Sequence, residues 1–269
     1  MLETVMDAVV ETDEEIMERL RERFDILEDM TMACKVGKVR SLIVSGAPGV
    51  GKSHGVQKVL AQYDTVARIA QDETLKKYEI VKGAIGALGL FMKLYEYRHE
   101  NSVVVFDDSD DVFKDDRAIN MLKSALDSNR KRILSWHYES NALKYENIPN
   151  TFEFCGSVIF ITNINFNHFR SKVLRSHLDA LTDRSHFLDL TVHTTREKLL
   201  RIKQVVEDGM LDELKLSDHT KEEVVDFVCN NTSKLQLSLR SVVKTAELAD
   251  AFPDDYKWKR VAKVTLMKG

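Results

Sequence analysis

Two short stretches of the chain carry residue types that suit phosphate chemistry. "GAPGVGKS", Gly46 to Ser53, has the spacing GxxxxGK[ST]. Glycines at Gly46, Gly49 and Gly51 let the backbone curl so that successive N–H groups converge on phosphate oxygens. Lys52 can reach terminal phosphates, and the Ser53 hydroxyl can ligate Mg²⁺. Ala47, Pro48, Val50 and His54 complete the candidate cofactor-binding set. In "VVVFDDSDD", Val103 to Asp111, acids follow an apolar run. Asp107 is placed to hold a hydrated Mg²⁺, and Asp108 to orient an attacking water. The expected ligands are therefore the phosphates of a nucleotide together with Mg²⁺, the nucleotide being ATP on the resemblance given below. Asp108 is one methylene shorter than the glutamate commoner at such positions, so slow turnover is expected rather than lost binding. Asp110 and Asp111 read as solvated or helix-capping acids.

Elements of definite kinds must position these residues. "RSLIVS" before the glycine loop, "VVVF" before the acids and "SVIFITN" further on are apolar runs of strand length. "TVARIA" (65–70) reads as a short strand and "HFLDLTV" as another, while "KKYEIVKGAIGALGLFMKLYEYR" reads as a loop turning into a helix. Residues 3–33, 52–62 and "DRAINMLKSALDSNRK" have helical periodicity. "RILSW" and "TFEFCG" flank a polar, turn-rich stretch and read as two short strands. Beyond Thr194 strands vanish, and helices are expected near 194–213, 218–231, 237–250 and 256–265. The fold class is α/β: a parallel sheet sandwiched by helices, followed by a small all-α domain. Expected divisions are an N-terminal helical segment at 1–36, a nucleotide-binding domain at 37–192 with an insertion at about 131–157, and a helical domain at 193–269.

Composition excludes several other classes. A net charge of −4 over 269 residues gives no global basic signature, so any nucleic-acid contact must rest on a local patch. Cys34, Cys155 and Cys229 form no CxxC pair and read as free thiols in a reducing, cytoplasmic compartment. No apolar run approaches a membrane span, and the acidic N-terminus is unlike a targeting peptide.

The order of these motifs resembles the AAA+ ATPases of the P-loop class over nearly the whole chain. "GAPGVGKS" resembles their Walker A motif, "VVVFDDSD" their Walker B and "VIFITN" their sensor 1 strand, ending at Asn163. Asn165 would take that role if the register slips by two. "LDALTDRSHFLDL" is similar to the arginine-finger segment, with Arg184 the candidate, and "LSLRSVVKTAELA" to the sensor 2 helix of the lid, with Arg240 the candidate. The insertion before "SVIFITN" resembles the hairpin of the pre-sensor-1 branch, and the combination also looks like ATPases of large bacteriophages.

The resemblance implies catalytic roles for Lys52, Asp108, Asn163, Arg184 and Arg240, and a homo-oligomer, commonly a hexameric ring. It makes Val81 and Lys82 candidate pore residues, without the aromatic that protein-threading members place there. Lys76, Lys77 and Lys82 form one basic group, and Arg130, Lys131 and Arg132 another. His137, Tyr138, Lys144 and Tyr145 mix aromatic and basic character in the insertion. A nucleic-acid motor is the first expectation. A protein remodeller, which an adaptor protein could direct, and a slow nucleotide-gated scaffold are the alternatives.

Overall fold

The structure, a computed structural model, describes residues 11–62, 65, 69–71, 77–164 and 172–267. They gather into two compact units. One holds Phe24–Ala47 and Gly51–Thr191; the other holds the chain up to Arg23, Pro48–Val50 and Val192 onward. Helix α1 (Asp13–Lys35) contributes its first turns to one and its last to the other.

The sheet unit is built on five parallel strands: β1 (Ser41–Ser45), β2 (Tyr78–Lys82), β3 (Val103–Asp107), β6 (Ser157–Thr162) and β7 (His186–Asp189), in the order β2–β3–β6–β1–β7. The three inner strands β3, β6 and β1 are buried at every position, which is why they read as unbroken apolar runs. One face packs on α3 (Ala87–Glu96), α4 (Asp116–Ala125) and α6 (Lys172–Thr182) through Phe91, Leu94, Leu122 and Leu181, with Phe106 stacked on Phe160 at 5.5 Å. The end of α1 meets α2 (Lys52–Ala61) at Gly55, where a Cβ would lie 2.8 Å from Leu27 Cδ2.

Two expectations need correction. The described residues of the expected strand at 65–70, Thr65, Ile69 and Ala70, are helical, and Ile69 is 78% exposed. The missing strand is β2, in the stretch read as a loop; Tyr78↔Val103 through Lys82↔Asp107 pair in parallel register. β2 is an edge strand, so only Tyr78 is fully buried and its apolar signal is weak. The first part of the expected N-terminal helix, residues 3–10, lies outside the described residues.

The insertion before β6 is a two-stranded antiparallel sheet, β4 (Ile133–Ser135) with β5 (Thr151–Glu153), carrying the short helix α5 (Asn141–Tyr145) at its tip. Its root is pinned by Arg132. Arg132 is 7% exposed and donates to Ala125 O and Gly156 O, each at 2.9 Å. Burial, then the nearby Arg40, lowers its pKa to about 10.

The helical unit comprises the start of α1 with α7 (Thr195–Glu207), α8 (Asp218–Asn230), α9 (Leu239–Ala251) and α10 (Asp255–Thr265). Each of the last four opens on a side-chain cap: Thr194, Ser217, Ser238 and Asp254. Val224, Val228, Val242, Ala246 and Trp258 form its core, with Phe227 edge-on to Trp258 at 5.4 Å.

Candidate nucleotide site

The glycine loop leaves the carboxyl end of β1, a central strand, where open α/β sheets bind ligands. Two glycines are required by geometry. Gly51 has φ +106° at the start of α2, a conformation L side chains resist. At Gly46 a Cβ would lie 2.9 Å from the main-chain carbon of Leu190. The curl lets the Lys52 ammonium fold back, donating to Gly46 O at 2.7 Å and Ala47 O at 2.9 Å. Ser53 is half-buried and His54 exposed.

The strand order explains the rest. β6 lies between β1 and β3, so the residue after β6 stands between the glycine loop and the acids. That residue is Asn163. Its Oδ1 accepts from Lys52 Nζ at 2.8 Å, and its Nδ2 donates to Asp108 Oδ1 at 2.7 Å. Asn165 lies outside the described residues. Asp107 ends β3 buried, and the Ser53 hydroxyl donates to its Oδ1 at 2.9 Å. Lys52, Ser53, Asp107, Asp108 and Asn163 are thus brought together.

Asp108 has a conformation the sequence did not announce. Its N–H still donates to Ile161 O at 3.0 Å, and its φ is then +53°. Asp and Asn enter the left-handed region more readily than other side chains except glycine. The turn therefore favours an aspartate over a glutamate here.

Asp110 also departs from expectation. It is half-buried and accepts from Thr162 Oγ1 at 2.7 Å rather than standing free in solvent or capping a helix. Burial pushes its carboxyl above the ordinary range, against the Thr162 hydrogen bond. Asp111 is exposed and pairs with Lys114 at 2.9 Å, while Asp115 caps α4. Reading along the chain could not find the Asp110–Thr162 pair, because the partners are 52 residues apart.

Two of the expected cations face partners of their own. Lys82 ends β2 with its ammonium 3.7 Å from Asp107 Oδ2, at the candidate site itself. Lys77 is exposed, Lys76 lies outside the described residues, and Arg132 is committed to the hairpin root. Exposed Arg130, Lys131, His137, Tyr138, Lys144 and Tyr145 remain on the insertion and its approach.

Arg184 stands at the opposite end of the sheet. It precedes β7, whose His186 pairs with Leu42 near the start of β1, and donates to Ala180 O at 2.7 Å. The length of β1, about 13 Å at the usual rise per residue, separates that level from the glycine loop. Arg184 lines a cavity of about 410 Å³ with Lys38, Arg40, Asp127, Asp183 and His186. In the helical unit Arg240 is exposed in the first turn of α9. Beside it Leu239 N donates to Gly49 O at 2.9 Å, and a Cβ on Gly49 would lie 2.8 Å from Ser238 Cβ.

No helix among the described residues is long and apolar enough to cross a membrane. No protein-family model matches the chain. A crystal structure of a DNA replication initiation factor superposes with a TM-score of 0.50, at 14% identity, over 97% of this chain and 68% of that one. The replication initiator DnaA bound to AMPPCP and single-stranded DNA superposes with a TM-score of 0.49, at 12% identity, over 89% of this chain and 63% of that one. At 14% identity the first of these likenesses establishes the fold alone. In sequence the chain is 33% identical over 261 residues to the uncharacterized 36.7 kDa protein of the nrdC–mobD intergenic region of Enterobacteria phage T4, covering 96% of this chain and 77% of that one. The chain belongs to the family of that phage T4 protein, and its fold is that of the AAA+ P-loop ATPases.

Proposed function

We propose that the chain binds and hydrolyses ATP and couples hydrolysis to work on a nucleic acid. The observation that carries this reading is the unbroken chain Lys52–Asn163–Asp108 beside the Ser53–Asp107 pair, all at the carboxyl ends of β1, β6 and β3. The loop amides and Lys52 would hold the phosphates, with Gly46, Ala47, Pro48, Gly49, Val50, Gly51, Ser53 and His54 forming the rest of the cradle. Asp108 would orient a water, and Asn163 would hold that water and a phosphate oxygen without adding charge. Hard oxygen donors, the Ser53 hydroxyl and the Asp107 carboxylate 2.9 Å apart, suit Mg²⁺. When bound, Mg²⁺ would neutralise phosphate charge.

Arg184 cannot serve the site of its own chain from the far end of the sheet. It would act on a neighbouring copy in a ring, hexameric by analogy with the fold class, where a planar cation stabilises developing charge. Arg240 would report the nucleotide to the helical unit. In domain terms, residues 1–36, 37–192 and 193–269 would act as helical segment, motor and lid. The nucleic-acid substrate is supported by the exposed Tyr138, Tyr145 and Lys144 on the insertion, which suit base stacking and phosphate contact, and by the DNA role in the name of the superposed initiation factor. A protein remodeller is the second reading, favoured by the burial of Arg132, which removes one cation from the candidate polyanion surface.

The test is phosphate release from Mg-ATP, alone and with single-stranded DNA, duplex DNA or an unfolded protein, with Lys52→Ala as the blank. Release above the blank that nucleic acid stimulates is expected. Stimulation by protein alone would shift the assignment to remodelling. Release no greater than the blank would overturn the ATPase reading.

A further inference from the structure

The acid loop after β3 and the turn after β6 are joined twice. Asp108 accepts from the Asn163 side chain, and two residues on, Asp110 accepts from the Thr162 hydroxyl. The Asp110 side chain is not spent on its own 3-10 turn, Asp110–Phe113, which has no side-chain cap. It reaches across to β6 instead. Thr162 is 1% exposed, so its hydroxyl has no access to solvent as an alternative partner. While donating to Asp110, that hydroxyl accepts from Ile164 N at 3.0 Å. On the other side Ser45 Oγ donates to Ile164 O at 2.9 Å. The residues flanking Asn163 are therefore held on both sides, by β1 and by the acid loop.

Asn163 itself is exposed, and its side chain is held by the hydrogen bonds to Lys52 and Asp108. An amide that must meet Lys52 on one edge and Asp108 on the other needs a backbone that does not shift, since misplacement by an ångström costs rate steeply. We propose that Asp110 and Thr162 form a clamp that positions Asn163 between Lys52 and Asp108, making Asp110 a positioning residue for the hydrolytic site rather than a surface acid. The clamp rests on the ATPase reading for its consequence, but its geometry is measurable separately.

Four variants test it: Thr162→Val, which removes the hydroxyl at constant shape, Thr162→Ser, Asp110→Ala and Asp110→Asn. Thr162→Val and Asp110→Ala are expected to lower kcat roughly tenfold while leaving the ATP dissociation constant within about twofold. Thr162→Ser, and Asp110→Asn with its remaining acceptor oxygen, should recover most of that loss. Wild-type kcat in both Thr162→Val and Asp110→Ala would overturn the clamp. So would a parallel loss of ATP affinity, or an Asp110→Asn variant as impaired as Asp110→Ala.

The second measurement needs no turnover. The Asn163 side-chain amide resonances, assigned by their disappearance in Asn163→Asp, should move toward solvent-exposed values in Thr162→Val. Unchanged resonances would overturn the clamp. A wild type no faster than Lys52→Ala would sink the ATPase reading alone and leave this spectrum to decide the clamp.

Discussion

The two ends of the parallel sheet treat their polar side chains differently. At the carboxyl end three side-chain links stand together, Lys52–Asn163–Asp108, Thr162–Asp110 and Ser53–Asp107, while Lys52 also donates to Gly46 O and Ala47 O. At the amino end the cations rest on main-chain carbonyls: Arg184 on Ala180 O, Arg40 on Asp127 O and Asn129 O. Neither arginine pairs with a carboxylate among the described residues. Carbonyls orient a guanidinium but do not neutralise it. One end holds the candidate site; the other sets Arg40 and Arg184 beside an open cavity that Asp127 and Asp183 also line. In the ring proposed above, a second copy would bring its phosphate loop to the amino end of this one.

The largest effect expected from this contrast is on Arg184→Ala. Its turnover should fall about a thousandfold, with ATP affinity within about twofold of wild type. Mixing it with Lys52→Ala chains should restore activity, because some interfaces then pair an intact loop with an intact arginine. Loss of ATP binding in Arg184→Ala would break the contrast between the two ends.

Arg132 sharpens it from the side of stability. It is a guanidinium on carbonyls like Arg184, but buried. Arg132→Met should cost about 3 kcal/mol by leaving two buried carbonyls unpaired. Urea unfolding followed through Trp136, which packs 5.8 Å from Phe91 in the same unit, reads this directly. An unchanged midpoint would show that the root of the insertion does not depend on the cation.

Glu197 in the helical unit extends the comparison to a side chain with structural work alone. Burial opposes its charge. The Arg19 hydrogen bond at 2.8 Å and the Thr194 and His193 amides overcome that and lower its pKa from 4.5 to about 2. Its contribution is complete above pH 4.5 and fades as pH falls towards 2. Glu197→Gln should cost on the order of 2 kcal/mol at neutral pH, a value tempered by solvent around Arg19. The difference from wild type should disappear near pH 2. Trp258 fluorescence in a Trp136→Phe background measures it. A difference that persists undiminished at pH 2 would refute the ionic origin.

The smallest effect concerns Asp108→Glu. The left-handed backbone at this position opposes the longer acid, so turnover should drop a few-fold rather than rise to the rate of a glutamate-bearing enzyme. A faster variant would show that side-chain length, not the turn, limits the site.

β1, β3 and β6 were readable because strands covered on both faces are apolar throughout. The edge strands were uneven: β7, exposed at three of its four positions, was read from "HFLDLTV", while β2 was missed in "YEIVK", which mixes charged and apolar residues. Arg132 read as one of a basic group with Arg130 and Lys131 because composition does not distinguish a buried guanidinium from an exposed one. The helix starts at Thr194, Ser217 and Ser238 were approximately visible because capping is local.

By itself the sequence determined what depends on neighbours in the chain: the glycine spacing of the phosphate loop, the acids behind an apolar strand and the helix caps. The tertiary structure alone decided that β6 inserts between β1 and β3, because parallel pairing joins segments more than a hundred residues apart such as Ser41 and Val158. That insertion puts Asn163 between Lys52 and Asp108, brings Thr162 against Asp110, and sends Arg184 to the far end of the sheet.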